Sequence, residues 1–294
     1  MKQSIIETHP VSTTGRLFKV ARLRDEYHDW VQDPAEFANA LASQRVADAF
    51  TFLQPITDRV PHHGYHLEWE HAAVLQLSTF EDWWKRQIND KTRNMIRKAQ
   101  KSGVILRDVP FSDELVRGIM RIYNETPIRQ GRRFRHFGKS IETIREEHAT
   151  FLDRSDFVGA YHGESLIGFM KLVHGDGVSH IMNIVSLLSE RNKAPTNALI
   201  AKAVERCVER GVTLLHYGSW SRRSMGEFKK HHAFQSMAIP RYYVPLTAKG
   251  RIGLQLRLHR SLREMLPAIW VDNLAEWRGR YQSYRTPKMN LSGQ

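Results

Sequence analysis

The sequence predicts an α/β protein of the α+β kind, built on a mixed, mostly antiparallel sheet flanked by helices. Three observations predict it. From residue 113 onward the apolar residues read as helix, helix, three strands, helix, strand, helix, strand, an order that a mixed sheet with helices on both faces accommodates. The strand-like runs between 157 and 188 are separated by HGES (162–165) and HGDG (174–177), turn sequences that make an antiparallel meander. No internal repeat of fixed period and no low-complexity tract interrupts the pattern.

Taken in order, 16–24 and 49–54 read as short strands around a helix at 34–48, with Pro34 at an early position where a missing N–H is tolerated. Residues 65–78 open with strict alternation, Tyr65, Leu67 and Trp69 against His66, Glu68 and Glu70, and predict a strand pair. STFE (78–81) matches a capping box of Ser78 with Glu81. Helix follows, with Phe80, Trp84 and Ile88 on one face, a break at Asn89-Asp90, then Met95 and Ala99. Gly103 supplies the left-handed residue that ends it. On another face Arg93, Arg97 and Lys101 stand at i, i+4 and i+8, a row of cations.

A helix at 113–124 carries Leu115, Ile119, Ile122 and Tyr123 on its apolar side. Residues 127–140 form a basic loop with interleaved aromatics that contains Arg132 and Arg133, and a helix follows at about 141–152. After the meander a polar loop, 189–195, leads into a helix with the stripe Leu199, Ala203 and Cys207, widened by Ile200, Val204 and Val208 and stopped by Gly211. A buried strand at 212–218, a helix at 224–234 and a last strand at 241–247 complete the core. The expected organisation is a short N-terminal α/β domain (1–79), a main core (80–246) and a basic amphipathic C-terminal arm (247–294).

With 294 residues, 41% apolar and 26% charged, the chain can bury a core without staples. Its one cysteine, Cys207, excludes an internal disulfide framework and reads as a small buried side chain. The first residues lack the apolar segment of a secretory signal, and no stretch approaches a membrane span, so a cytoplasmic protein is expected. The net charge of +13 is uneven: residues 1–80 carry −3 and residues 81–294 carry +16. The later part therefore suits nucleic acid, phosphorylated ligands or an acidic membrane surface. In 250–270, Arg251, Arg257, Arg260 and Arg263 alternate with leucines, as in an arm packed across the domain or laid on an anionic membrane. His62, His63, His66 and His71 cluster without metal-ligand spacing and read as a strand surface, so no metal is expected. GSWS (218–221) lacks the nucleophile-elbow pattern, and no Gly-Lys-Ser/Thr phosphate loop occurs.

The element order resembles the core of the GNAT acyltransferases. RNMIRKAQKSGV (93–104), just before that core, is similar to a helix of the Fem-type transferases, which add amino acids to peptidoglycan bridges. EFKKHHAF (227–234) resembles their Phe-Lys element before the last strand. The resemblance covers about 80–246, and 1–79 would be a shortened counterpart of the first of two GNAT-like domains. It implies an N-acyltransferase with no tightly bound cofactor, which takes acyl-CoA as co-substrate and acylates an amine or hydroxyl acceptor, such as a cell-envelope precursor. Aminoacyl-tRNA as donor is the Fem-type alternative, and a non-catalytic binder of RNA or anionic membrane is a third reading.

Residue by residue, the resemblance assigns donor binding to Arg191, Lys193, Thr196 and Asn197, where GNAT enzymes hold the CoA pyrophosphate on a glycine-rich loop. This loop has no glycine, and Pro195 lacks an N–H. Lys229 stands where many GNAT enzymes have a tyrosine acid, and the Fem-type arrangement implies that it stabilises transition-state negative charge. Asn183, polar within an apolar strand, is a candidate contact to the acyl group. Tyr217 and Ser219 emerge beyond the end of a buried strand, where open α/β sheets bind ligands. Glu227 is a weak candidate base. Arg93, Arg97, Lys101, Arg132 and Arg133 are expected to steer an anionic donor or acceptor.

Overall fold

Ala72, Ala73, Val74 and Leu75 are buried almost completely, as residues of a strand covered on both faces are. They lie in the middle of the computed structural model, which describes residues 2–6, 9–175, 177–221 and 224–260. The chain begins with β1 (Lys2–Ile6), β2 (His9–Thr14), β3 (Val20–Leu23), α1 (Pro34–Ser43), β4 (Ala49–Leu53) and β5 (His66–Gln76). Next come α2 (Phe80–Asp82), a π-helical turn (Trp83–Gln87), α3 (Asp90–Lys101), β6 (Val104–Asp108) and α4 (Asp113–Tyr123). A small hairpin of β7 (Ile128–Arg129) and β8 (Arg132–Arg133) precedes α5 (Ile141–His148). The meander is β9 (Ser155–His162), β10 (Ser165–Gly175) and β11 (Val178–Ser186). It is followed by α6 (Pro195–Glu209), β12 (Leu214–Ser219), α7 (Ser224–His231), β13 (Gln235–Pro245) and α8 (Ala248–Gln255).

One sheet holds eleven of these strands in the order β1-β2-β3-β4-β13-β5-β12-β11-β10-β9-β6. Only β3–β4 and β11–β12 are parallel; the other neighbours are antiparallel. Adjacent residues of β10 point to opposite faces. Met170 and Leu172 pack with Trp83, Leu199 and Val204 under α3 and α6. Phe169 packs with Leu115, Ile119 and Tyr123 of α4. The mixed, mostly antiparallel sheet flanked by helices is thus as expected. Cys207 is fully buried, and burial pushes its thiol up to about 12.

Two local expectations change. The strand pair expected over 65–78 is the single strand β5, because its apolar second half lies between β12 and β13 and leaves no room for a turn. The helix cap is Thr79, whose Oγ1 accepts from Asp82 N at 3.0 Å; Ser78 Oγ instead donates to the Asp82 carboxylate at 3.2 Å. The β1–β2 hairpin was not legible, since its short polar strands lack an apolar face in the sequence. Of the C-terminal arm, α8 is described; the expected basic pattern of 261–270 lies outside the described residues.

The break at Asn89 is real and has a use. Asn89 Oδ1 accepts from Thr92 N at 2.9 Å and caps α3. On either side of the break a side chain reaches the C-terminal end of α7: Trp83 Nε1 donates to His232 O at 3.2 Å, and Thr92 Oγ1 donates to His231 O at 2.9 Å. The π-helical turn and α3 therefore fix the end of α7, just past Lys229. Trp83 is fully buried, so Trp83→Ala should cost about 3–5 kcal/mol of stability in urea unfolding. Trp83→Phe, which keeps most of the packing and loses the hydrogen bond, should cost clearly less.

Candidate active site

Strands β11 and β12 run parallel for only three rungs, Val178↔Leu214, Ser179↔Leu215 and His180↔His216. Both strands then break register with their outer partners. β11 gains a residue against β10, so that Met182 is unpaired between Ile181 and Asn183. β12 gains one against β5 between His216 and Ser219, at Gly218, whose φ of +62° is the left-handed conformation that favours glycine. A bulge bends its strand. Two bulges just past the same rung bend the strands apart, so beyond His180–His216 the facing edges of β11 and β12 have no ladder between them.

The rung itself is two buried imidazoles, His180 Nδ1 to His216 Nδ1 at 3.0 Å. One ring donates and the other accepts, which two neutral rings of opposite tautomer satisfy. The segment between β3 and α1 lies on them: the ring of His28 is 4.7 Å from His180, and that of Tyr27 is 4.5 Å from His216. Burial first, then nearby cationic groups, holds His28 down to about 4 and His216 to about 3, with His180 also well below its ordinary value.

Past the rung, β12 carries Tyr217 and Ser219. Lys229 of α7 is 4% exposed; its Nζ donates to Ser219 O at 2.8 Å and stands 4.7 Å from the centre of the Tyr217 ring. Burial lowers the Lys229 ammonium to about 8 and raises the Tyr217 phenol. The Ser219 hydroxyl donates to Glu70 Oε1 at 3.2 Å and lies 3.1 Å from the Tyr27 hydroxyl, which also donates to Glu70. Arg241 Nε donates to Glu70 Oε2 at 2.7 Å, and its two terminal nitrogens hold Glu26 at 2.9 and 2.8 Å. Burial alone would raise the Glu70 carboxyl; Arg241 and the hydroxyl donors outweigh it and hold it below the usual range. Glu70 is therefore an ionised anchor for Ser219 and Tyr27.

The structure brings Lys229, Tyr217 and Ser219 together and adds Glu70, Tyr27 and Arg241 to them. Asn183 is half-buried on β11, opposite Lys171, just past the bulge. Lys171 is fully buried and donates to His148 O at 2.9 Å. At the start of α6, Thr196 Oγ1 is 2.9 Å from Ser186 Oγ, so the residues expected to bind the donor sit beside the far end of β11. Lys193 pairs with Glu190 at 2.6 Å; Arg191 is exposed and Asn197 half-buried. Ala194, the residue before α6, is left-handed at φ +55° and followed by Pro195. Glu227 is exposed and bound to Lys230 at 2.8 Å.

The basic row does not act as one. Arg93 is tied down: it binds Asp90 at 2.8 Å and donates to Trp84 O at 2.7 Å and Ile88 O at 2.6 Å, bracing the helix break. Arg97 and Lys101 stay exposed, Arg97 lying 5.5 Å over Trp84. Arg97 and Lys202 border an apolar cleft of about 460 Å³ between α3, α6 and β6, floored by Phe80, Ile96 and Leu106. Arg132 and Arg133 are exposed on β8.

The histidine cluster makes a stability prediction. An unfolded histidine takes a proton near pH 6.5, whereas His28 and His216 resist it until about 4 and 3. Their contribution is complete above pH 6.5 and is lost as pH falls below it toward those values. Unfolding free energy from urea titrations should fall from pH 7 to pH 4, and His28→Gln should flatten that slope.

No family model matches the chain, and no curated protein matches it. Solved structures do. L-PGS from Bacillus licheniformis is similar at 14% identity and a TM-score of 0.53, over 82% of this chain and 83% of that chain. The C-terminal domain of an Agrobacterium fabrum protein assigned as a lysylphosphatidylglycerol synthetase is similar at 13% identity and a TM-score of 0.55, over 86% of both chains. FemX is similar at 11% identity and a TM-score of 0.50, over 79% of this chain and 83% of that chain. At such identities the likeness is one of fold, and the fold is the GNAT-like, Fem-type fold that the element order and the α3 motif implied.

Proposed function

We propose that the protein is an acyl or aminoacyl transferase that works in the cleft where β11 and β12 part, with Lys229 as its central charge. The observation that carries this reading is a buried lysine at the mouth of an unpaired strand edge, in a fold shared with FemX and L-PGS. An acceptor amine or hydroxyl attacks the carbonyl carbon of an ester or thioester. A C–N or C–O bond forms, the carbonyl π electrons move to oxygen, and collapse of the adduct expels the donor's hydroxyl or thiol. The acceptor's proton ends, through water or directly, on that leaving group. An ammonium has three N–H donors, and Ser219 O takes one, which leaves Lys229 donors for the oxyanion. Its lowered affinity for protons also suits it to protonate the leaving group. Ser219 and Tyr27, held by Glu70, offer hydroxyls to orient the acceptor.

The start of α6 favours aminoacyl-tRNA over acyl-CoA as donor. With Ala194 left-handed, Pro195 without an N–H and Lys193 paired to Glu190, little remains to wrap a pyrophosphate. The exposed Arg97, Lys98 and Lys101 of α3 and the +16 of residues 81–294 suit a polynucleotide. A lysylphosphatidylglycerol synthetase, by its name, joins an amino acid to an anionic lipid, so lipid hydroxyls are the first acceptors to try here and envelope-precursor amines the second.

Transfer assays with labelled aminoacyl-tRNA and acyl-CoA test the reading. Transfer should come from aminoacyl-tRNA and weaken steeply with salt. Lys229→Met should lower kcat by about 10²–10³-fold with little change in KM. In the wild type kcat should fall as pH rises through about 8, where burial places the loss of the Lys229 proton. A rate that rises through pH 8 would make Lys229 a base instead. Use of acyl-CoA alone would reverse the donor assignment, and RNA binding without any transfer would make the protein a binder.

A further inference from the structure

A second cluster of ligand-type side chains converges outside the cleft. His66 and Glu68 stand two apart on β5 and so share a face of the sheet. His259, just past α8, closes onto them: its Nε2 is 2.9 Å from Glu68 Oε1, and His66 Nε2 is 3.5 Å from the same oxygen. One ligand atom from each of the three lies within 4.8 Å of the others. The His259 side chain is fully buried, 4.4 Å from the Tyr243 ring and 5.6 Å from the His66 ring, so its position is fixed by packing.

Bonds of about 2.0–2.2 Å to nitrogen and oxygen around a tetrahedral zinc set neighbouring ligand atoms about 3.3–3.5 Å apart. The two separations at Glu68, 2.9 and 3.5 Å, lie close to that edge length. Two imidazoles and one carboxylate suit zinc and related transition metals; calcium and magnesium prefer all-oxygen shells. Arg260 donates from Nε to the same Glu68 oxygen at 2.9 Å, so it competes with a cation there. We propose that His66, Glu68 and His259 form a zinc-type divalent-cation site that clamps the chain after α8 onto β5, with Arg260 as the competing charge. No residue of this site belongs to the Lys229 cleft, although Glu70 follows Glu68 on the same face of β5.

Tag-free full-length protein titrated with zinc chloride by calorimetry, and with cobalt(II) followed by its visible absorption, tests the site. One equivalent should bind, and the cobalt spectrum should be that of a tetrahedral N/O site. His259→Ala and His66→Ala should each weaken binding at least tenfold. His66 is half-exposed, so its variant keeps the test valid if the His259 variant folds poorly. Arg260→Ala keeps all three ligands and should tighten binding. Zinc should raise the Tm of the wild type and not of His66→Ala. Absence of saturable binding, or binding that both histidine variants retain, overturns the proposal.

Discussion

The last rung between β11 and β12 is the constraint on which the candidate site depends. Up to His180 and His216 the two strands are ordinary parallel neighbours. Two residues further on, each strand bulges against its other partner, and the sheet opens. The imidazole pair closes the paired part with a hydrogen bond that two neutral rings of opposite tautomer make. Burial under Tyr27 and His28 keeps them so, because a charged ring there would lose its hydration without compensation. A sheet that stayed paired would place ladder hydrogen bonds where the proposed reading seats a substrate carbonyl.

Around that opening the charges are arranged in order of burial. Arg241 is 7% exposed between Glu26 and Glu70 and has no freedom to meet a substrate. Its task is to keep Glu70 ionised, which in turn aims Ser219 and Tyr27. Lys229 differs: its Nζ donates to a neutral carbonyl, and among the described residues burial lowers its proton affinity with no carboxylate raising it. A buried cation without a counter-ion is costly, and such groups cluster where charge develops in a reaction. The contrast between the neutralised arginine and the uncompensated lysine is the electrostatic signature of the site.

Much of the fold was legible in the sequence where the signal was local. The meander announced itself through two turn sequences, α6 through its apolar stripe, and the helix break through Asn89, which caps α3. Lys229, Tyr217 and Ser219 could be nominated from the sequence because each stands in a recognisable place, on the Phe-Lys element or at the end of a buried strand. The rest of the site was hidden because it is assembled across the chain. Tyr27 meets Glu70 across 43 positions and Ser219 across 192, and Arg241 meets Glu70 across 171. In the sequence Glu70 is merely the polar side of an alternating strand, and His180 and His216 are lone polar residues in apolar runs. Arg93 failed in the other direction: its spacing put it in a cationic row, while Asp90 and three backbone carbonyls claim its guanidinium.

A structure of the protein with a stable amide analogue of an aminoacyl-nucleoside ester would test the central claim most directly. The analogue's carbonyl should lie between β11 and β12, with its oxygen about 2.7–3.1 Å from Lys229 Nζ and its acceptor side toward Ser219 and Tyr27. An analogue bound elsewhere, or bound in the cleft with Lys229 turned away from the carbonyl, would contradict it.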